Sequence, residues 1–129
     1  MALLTTAKRK EYFKALGLGE YNATNIKRFQ KTAFSKAKEH DGIYGNNTDI
    51  ALRHWYNCSK VKNFEPQEFK CPCGKCTGYP TYMRSAELAN LQSIRTHFGK
   101  PMTITCGLRC KVYNSSLKGS SPTSAHLYG

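Results

Sequence analysis

Three closely spaced cysteines, Cys71, Cys73 and Cys76, offer the most reactive side chains of this sequence. Thiolates at C-x-C-x-x-C spacing can ligate a structural zinc ion, which takes four ligands in a tetrahedron. The fourth ligand would come from one of the remaining cysteines, which are Cys58, Cys106 and Cys110. Because the sequence has no second C-x-x-C pair, we expect disulfides or free thiols here rather than a metal, and the sequence does not select a pairing.

A second pair of residues, His54-Trp55, resembles a metal-site motif in composition. It lies well before the cysteines, on a segment whose apolar pattern predicts a helix. We therefore interpret His54 as a surface side chain beside a core tryptophan.

The chain of 129 residues carries a formal net charge of +12, and both halves are basic. Such a field attracts polyanions, which include nucleic acid, anionic lipid and the anionic polymers of a bacterial cell wall. Basic clusters at residues 8–10 and 27–38 could contact phosphates, but we interpret them as solvated helix faces, so nucleic acid is the least favoured partner. No apolar run approaches the ~18 residues of a membrane span. The first residues also lack the basic-then-apolar order of a secretory signal.

The elements that must position these residues are mostly helices. Apolar residues at helical spacing predict three helices within residues 1–60. Their expected N-caps are Thr5 or Thr6, Thr24 or Asn25, and Asn47 or Thr48.

The second half is predicted to contain a helix, a strand and a further helical segment. Ser85 is the expected cap of a helix that turns Leu88, Leu91, Ile94 and Phe98 inward and ends at Gly99. Alternation predicts a short strand over residues 102–105, and residues 112–117 are expected to be helical. The predicted fold class is therefore mainly α with a small α+β part.

The first half resembles the peptidoglycan-binding domain of wall hydrolases. The resemblance rests on Phe29-Gln30, on the D-G-x-aromatic-G-x-x-T run of residues 41–48, and on Ala51-Leu52 with Trp55. It implies a three-helix domain over residues 1–60, with peptidoglycan as its partner. It also implies that a groove beside the loop offers Tyr44 to the substrate.

The second half, residues 61–129, resembles the front part of the zinc D-alanyl-D-alanine peptidases. The matching runs are residues 64–69, the cysteine loop, residues 97–101, residues 104–109 and the closing S-x-H-x-x-G at residues 124–129. The resemblance implies that His126 is a zinc ligand, that Ser124 shapes the substrate site, and that Arg109 stabilises the oxyanion formed when water attacks an amide.

These resemblances together imply a bacterial or phage cell-wall hydrolase fragment. It would bind peptidoglycan and anionic wall polymers and cleave a stem-peptide amide, as a D,D-carboxypeptidase or an endopeptidase. A catalytic zinc takes three protein ligands, whereas the motif within these residues supplies one, so we expect the zinc site to work only in the completed domain. We expect action at the wall or outside the cell, after release of the kind that phage lysins use. The alternatives are a non-catalytic wall-binding protein and a basic nucleic-acid-binding protein.

Overall fold

The computed structural model of the protein describes residues 2–104 and 107–110. These residues form four α-helices: α1 (Thr6–Ala15), α2 (Ala23–Ala33), α3 (Asn46–Cys58) and α4 (Ser85–Phe98). Two short 3-10 turns lie between them, at Ala37–Glu39 and Pro66–Phe69. The prediction of a mainly α protein is confirmed, and the described residues contain no strand. Every helix in this part of the chain is too short or too polar to span a bilayer.

Side-chain capping accounts for the starts of α1 and α2. Thr5 caps α1 as predicted, since its hydroxyl accepts a hydrogen bond from the N–H of Lys8 at 3.3 Å. The predicted cap of α2 is wrong by two or three residues, because the side chain of Asn22 accepts from the N–H of Asn25 at 2.9 Å. The predicted cap of α3, Asn47 or Thr48, is wrong as well, because the N-cap is Gly45, which has no capping side chain.

The ends of α4 also differ slightly from expectation. Ser85 is the first helical residue rather than the cap, which is Arg84. Gly99 closes the helix as predicted, in the left-handed conformation with φ 63°.

One hydrophobic core contains residues from both sides of position 60. Trp55 on α3 joins the two sides, with its ring 5.5 Å from that of Phe29 and 5.1 Å from that of Tyr79. The largest fully buried apolar side chains of this core are Phe13, Phe29, Phe34, Leu52, Phe69, Tyr79, Leu88 and Leu108. Segments after α3 therefore pack directly on α2 and α3.

The predicted inward face of α4 is correct only for the first half of that helix. Leu88 is fully buried and Leu91 is partly buried against the core. Ile94 and Phe98, by contrast, are 45% and 67% exposed. The apolar pattern correctly predicts a helix. Within the described residues, however, only the N-terminal half of α4 packs against the core.

The predicted strand at residues 102–105 is not formed in its described part, residues 102–104. Met102 and Ile104 still pack against the core, which accounts for their apolar alternation. The helical segment predicted at residues 112–117 lies outside the described residues.

Candidate functional site

The loop that carries the D-G-x-aromatic-G-x-x-T run is organised by the buried amide of Gln30. Its Nε2 donates to the Asp41 carboxylate at 3.0 Å, to the Ile43 carbonyl at 3.0 Å and to the Thr48 hydroxyl at 2.9 Å. Its Oε1 accepts from the N–H of Gly42 at 2.8 Å. Gln30 thus joins α2, the loop and the start of α3 through one side chain that is 1% exposed.

Gly42 adopts the backbone conformation that this turn requires. Its φ is +73°, and a Cβ at this position would lie 3.2 Å from the carbonyl oxygen of Ala23. The neighbouring Asp41 has a pKa below its ordinary value, because its carboxylate accepts hydrogen bonds from the Ile43 N–H and from Gln30.

Tyr44, the predicted substrate contact, is half-buried. It contacts a network of charged side chains, Arg9, Asp49 and Arg53, that the sequence analysis did not predict. Its hydroxyl donates to Asp49 at 2.6 Å, and the guanidinium of Arg9 lies 4.0 Å from the centre of its ring. Asp49 is 1% exposed, forms an ion pair with Arg53 at 2.8 Å and accepts from the N–H of Leu4 at 2.9 Å. The i, i+4 spacing of Asp49 and Arg53 on a helix was the available sequence signal.

A groove of about 800 Å³ opens beside this network, between the end of α1 and the loop that follows it. Its lining residues are Lys10, Lys14, Gly17, Gly19, Glu20 and Tyr21. Tyr21 connects the groove to the network, because its ring packs edge-to-face on that of Tyr44 at 5.9 Å and its hydroxyl accepts from Arg9 at 2.8 Å.

The interpretation of His54 as a surface residue is wrong. The side chain is fully buried on α3, where its Nε2 lies 2.8 Å from the Pro66 carbonyl and its Nδ1 accepts from the N–H of Met83 at 3.1 Å. These partners fix the neutral tautomer with the proton on Nε2. Burial lowers the pKa of His54 to about 4, against the weaker raising effect of the Pro66 hydrogen bond. His54 therefore fastens the segment of residues 66–83 onto α3.

The cysteine loop brings four sulfur atoms together. Cys71, Cys73, Cys76 and Cys110 each place Sγ within 4.8 Å of the other three. In the described part of the chain, no other group of three or more His, Cys, Asp or Glu side chains converges in this way. The structure thus selects Cys110 from the possible fourth partners. Cys58 is instead buried beside His54, with its Sγ 3.8 Å from Nε2, and Cys106 lies outside the described residues.

The three clustered cysteines of the loop differ in acidity. Burial would raise the pKa of Cys73, but hydrogen bonds from the N–H groups of Cys76 and Lys75 outweigh it and lower that pKa to about 6. Burial raises the pKa of Cys71 and of Cys76 above the ordinary thiol value. The backbone hydrogen bonds therefore favour the thiolate form of Cys73 over that of Cys71 and Cys76.

Arg109, the predicted oxyanion residue, lies in the segment of residues 107–110, which packs against the turn at Pro66–Phe69. The N–H of Leu108 donates to the Phe69 carbonyl at 2.8 Å, and the N–H of Cys110 donates to Cys71 Sγ at 3.3 Å. Arg109 is half-buried between these two attachments. Ser124 and His126, the other predicted residues of the catalytic half, lie outside the described residues.

Comparison with known proteins supports the peptidase resemblance of the second half of the chain. A family model described as Peptidase M15 matches residues 62–129. No curated protein and no solved structure matches the chain. The matched region contains the cysteine loop, α4, Arg109, Ser124 and His126. Since the match covers more than half of the residues, the chain belongs to the Peptidase M15 family.

Proposed function

We propose that this protein is a peptidoglycan hydrolase, which binds the cell wall through residues 1–60 and hydrolyses a stem-peptide amide through residues 61–129. The observation that carries the proposal is the Peptidase M15 match, which contains both Arg109 and His126. The reaction is of the D,D-carboxypeptidase or endopeptidase type. A phage or bacterial lysin that acts at the wall or outside the cell fits this activity.

Arg109 is assigned the electrostatic part of the reaction. Water attack on an amide places negative charge on the carbonyl oxygen, and a fixed cation beside that oxygen stabilises the transition state. The attachments at Leu108 and Cys110 restrict the backbone on both sides of Arg109.

The metal of the reaction is assigned to the motif that begins at Ser124. His126 would contribute one imidazole ligand, and Ser124 would shape the adjoining substrate site. When bound, zinc supplies a Lewis acid and an activated water. A catalytic zinc takes three protein ligands, of which His126 would be one.

Wall binding is assigned to the groove beside α1. Lys10 and Lys14 give it positive charge for anionic wall polymers, and Tyr21 offers an aromatic surface of the kind that contacts sugars. Tyr44 supports this surface from behind, because its hydroxyl is held by Asp49 and its ring is held against Tyr21. In this proposal positive charge attracts the protein to the anionic wall, and the shape of the groove provides specificity for the wall polymer.

Sedimentation of the full chain with purified bacterial walls tests the binding half of the proposal. We expect retention in the wall pellet above roughly 0.15 M salt, where surface charges are screened beyond ~8 Å, and weaker retention on DNA at matched salt. The double variant Lys10→Gln/Lys14→Gln should lose more binding than Lys62→Gln/Lys100→Gln, which removes equal charge from exposed positions outside the groove lining.

Three results would contradict this assignment. Failure of the wild-type protein to sediment with walls would exclude wall binding, and stronger retention on DNA would favour the nucleic-acid alternative. Equal losses of binding in the two double variants would show that the groove is not the site that binds the wall. A non-catalytic wall-binding protein would pass this test and fail an assay of amide hydrolysis.

A further inference from the structure

The four sulfur atoms of Cys71, Cys73, Cys76 and Cys110 have the spacing of a metal-binding tetrahedron. In a zinc tetrathiolate each Zn–S bond is about 2.3 Å, which places neighbouring sulfurs about 3.8 Å apart. The distance from Cys73 Sγ to Cys110 Sγ is 3.8 Å and that from Cys73 Sγ to Cys76 Sγ is 3.4 Å, while all four lie within 4.8 Å of one another. Two disulfides would instead bring each sulfur to about 2.05 Å from one partner only.

The backbone around the loop is arranged to stabilise negative sulfur. The N–H groups of Lys75 and Cys76 donate to Cys73 Sγ at 3.3 and 3.4 Å, and the N–H of Gly78 donates to Cys76 Sγ at 3.3 Å. The positive φ values of Gly74 and Gly78, 74° and 94°, allow the chain to turn these donors inward. N–H groups that donate to a ligating sulfur in this way orient the thiolate and tune its affinity for a metal.

The fourth ligand is brought in from a distant part of the chain. Cys110 donates its N–H to Cys71 Sγ at 3.3 Å, so the segment after Leu108 reaches the loop by its backbone as well as by its side chain. Burial of Leu108, which is fully covered, and its hydrogen bond to Phe69 hold the segment there. The donor set is therefore assembled by the fold rather than by proximity in sequence alone.

We propose that Cys71, Cys73, Cys76 and Cys110 bind one structural zinc ion, at a site separate from the catalytic motif of His126. Binding forms four Zn–S bonds and releases to solvent the proton of every ligand that was a thiol, with no change of oxidation state. The four-sulfur donor set leaves no open position for water or substrate, so the ion has a structural role. Because metal binding is coupled to folding, the attachment of residues 107–110 to the cysteine loop depends on bound zinc.

Metal analysis of the full chain tests this site directly. Protein purified under reducing conditions should contain about one equivalent of tightly held zinc. Titration of the metal-free protein with Co²⁺ should give the thiolate-to-cobalt charge-transfer absorption of a tetrathiolate site. Its intensity should fall by about a quarter in Cys110→Ser, because three sulfurs then remain.

Control variants separate this site from other sources of metal binding. Cys58→Ala should keep the zinc and the cobalt spectrum, since Cys58 is buried beside His54 and outside the cluster. His126→Ala should keep both as well, which distinguishes the cysteine site from the catalytic motif. These readouts do not use peptide hydrolysis, so their failure is distinguishable from failure of the proposed function.

Two outcomes would overturn the proposal. One is a folded, reduced wild-type chain that takes up neither zinc nor Co²⁺ with a charge-transfer band, with folding checked by helical circular dichroism. The other is a protein that, prepared with reductant, still shows cysteines of this cluster joined in disulfides by peptide mapping.

Discussion

Leu108 and Phe69 are joined by a backbone hydrogen bond of 2.8 Å, in which the N–H of Leu108 donates to the Phe69 carbonyl. Next to it, Gly107 approaches the same residue so closely that a Cβ would lie 2.8 Å from Phe69 Cα. The segment that carries Arg109 thus packs against the turn at Pro66–Phe69 with no room for a side chain at position 107. Both segments lie within the residues that match Peptidase M15.

Gly107→Ala should therefore push the Arg109 segment away from Phe69. Overpacking against backbone atoms costs about 1–3 kcal/mol of unfolding free energy, which denaturant titration measures. Gly45→Ala is the matched control, because a Cβ there meets nothing within 4 Å and its φ is −123°, so its cost is limited to the preference for Gly over Ala at the N-cap of α3. Equal stabilities for the two variants would contradict the close fit.

Gln30→Glu should be strongly destabilising, although it changes only the amide to a carboxylate. The variant loses the donors to Ile43 and Thr48 and sets a second carboxylate beside Asp41. Leaving buried polar groups unpaired costs about 1–3 kcal/mol, and more where a charge is involved. The same substitution at exposed Gln67 should cost far less when both are compared by thermal unfolding. A Gln30→Glu protein as stable as Gln67→Glu would show that the amide does not organise the loop.

His54 should make the protein sensitive to acid. Its pKa is about 4 when folded, against 6.5 for the ordinary group, so the unfolded chain binds more protons between these values. The stability contribution is complete above pH 6.5 and is lost as the pH falls towards 4, by at most about 3 kcal/mol.

The pH dependence of unfolding in His54→Gln, compared with wild type, measures this contribution. The variant should show a flatter stability profile between pH 4 and 6.5. His97→Gln, at an exposed position on α4, should keep the wild-type profile. A wild-type slope retained in His54→Gln would assign the acid sensitivity to other groups.

Local sequence patterns predicted where the helices lie, because helical periodicity depends on neighbours in the chain, although the predicted N-cap is correct only for α1. Thr5 and Gly99 have the roles that were expected. Contacts between distant segments were harder to predict. His54 was placed at the surface because nothing local shows that residues 66–83 cover it.

The same limit applies to the candidate sites. The cysteines of the loop were visible as a group, but the choice of Cys110 depends on a backbone path that joins positions 39 residues apart. The role of Gln30 was recognised as part of a motif, whereas its four partners required the folded loop. Asp49 was missed because its i, i+4 spacing to Arg53 indicates a pair on a helix but does not reveal that the carboxylate is buried.

Zinc-dependent hydrolysis of stem peptides that end in D-alanine, by the natural protein that contains this sequence, tests the central claim most directly. We expect release of D-alanine or of a stem-peptide fragment that requires zinc, and loss of most activity in Arg109→Ala with its metal content retained. Loss of the Arg109 cation should cost on the order of 10²–10³ in kcat. A folded, zinc-loaded protein that cleaves no stem peptide, or an Arg109→Ala variant with full activity, would contradict the account.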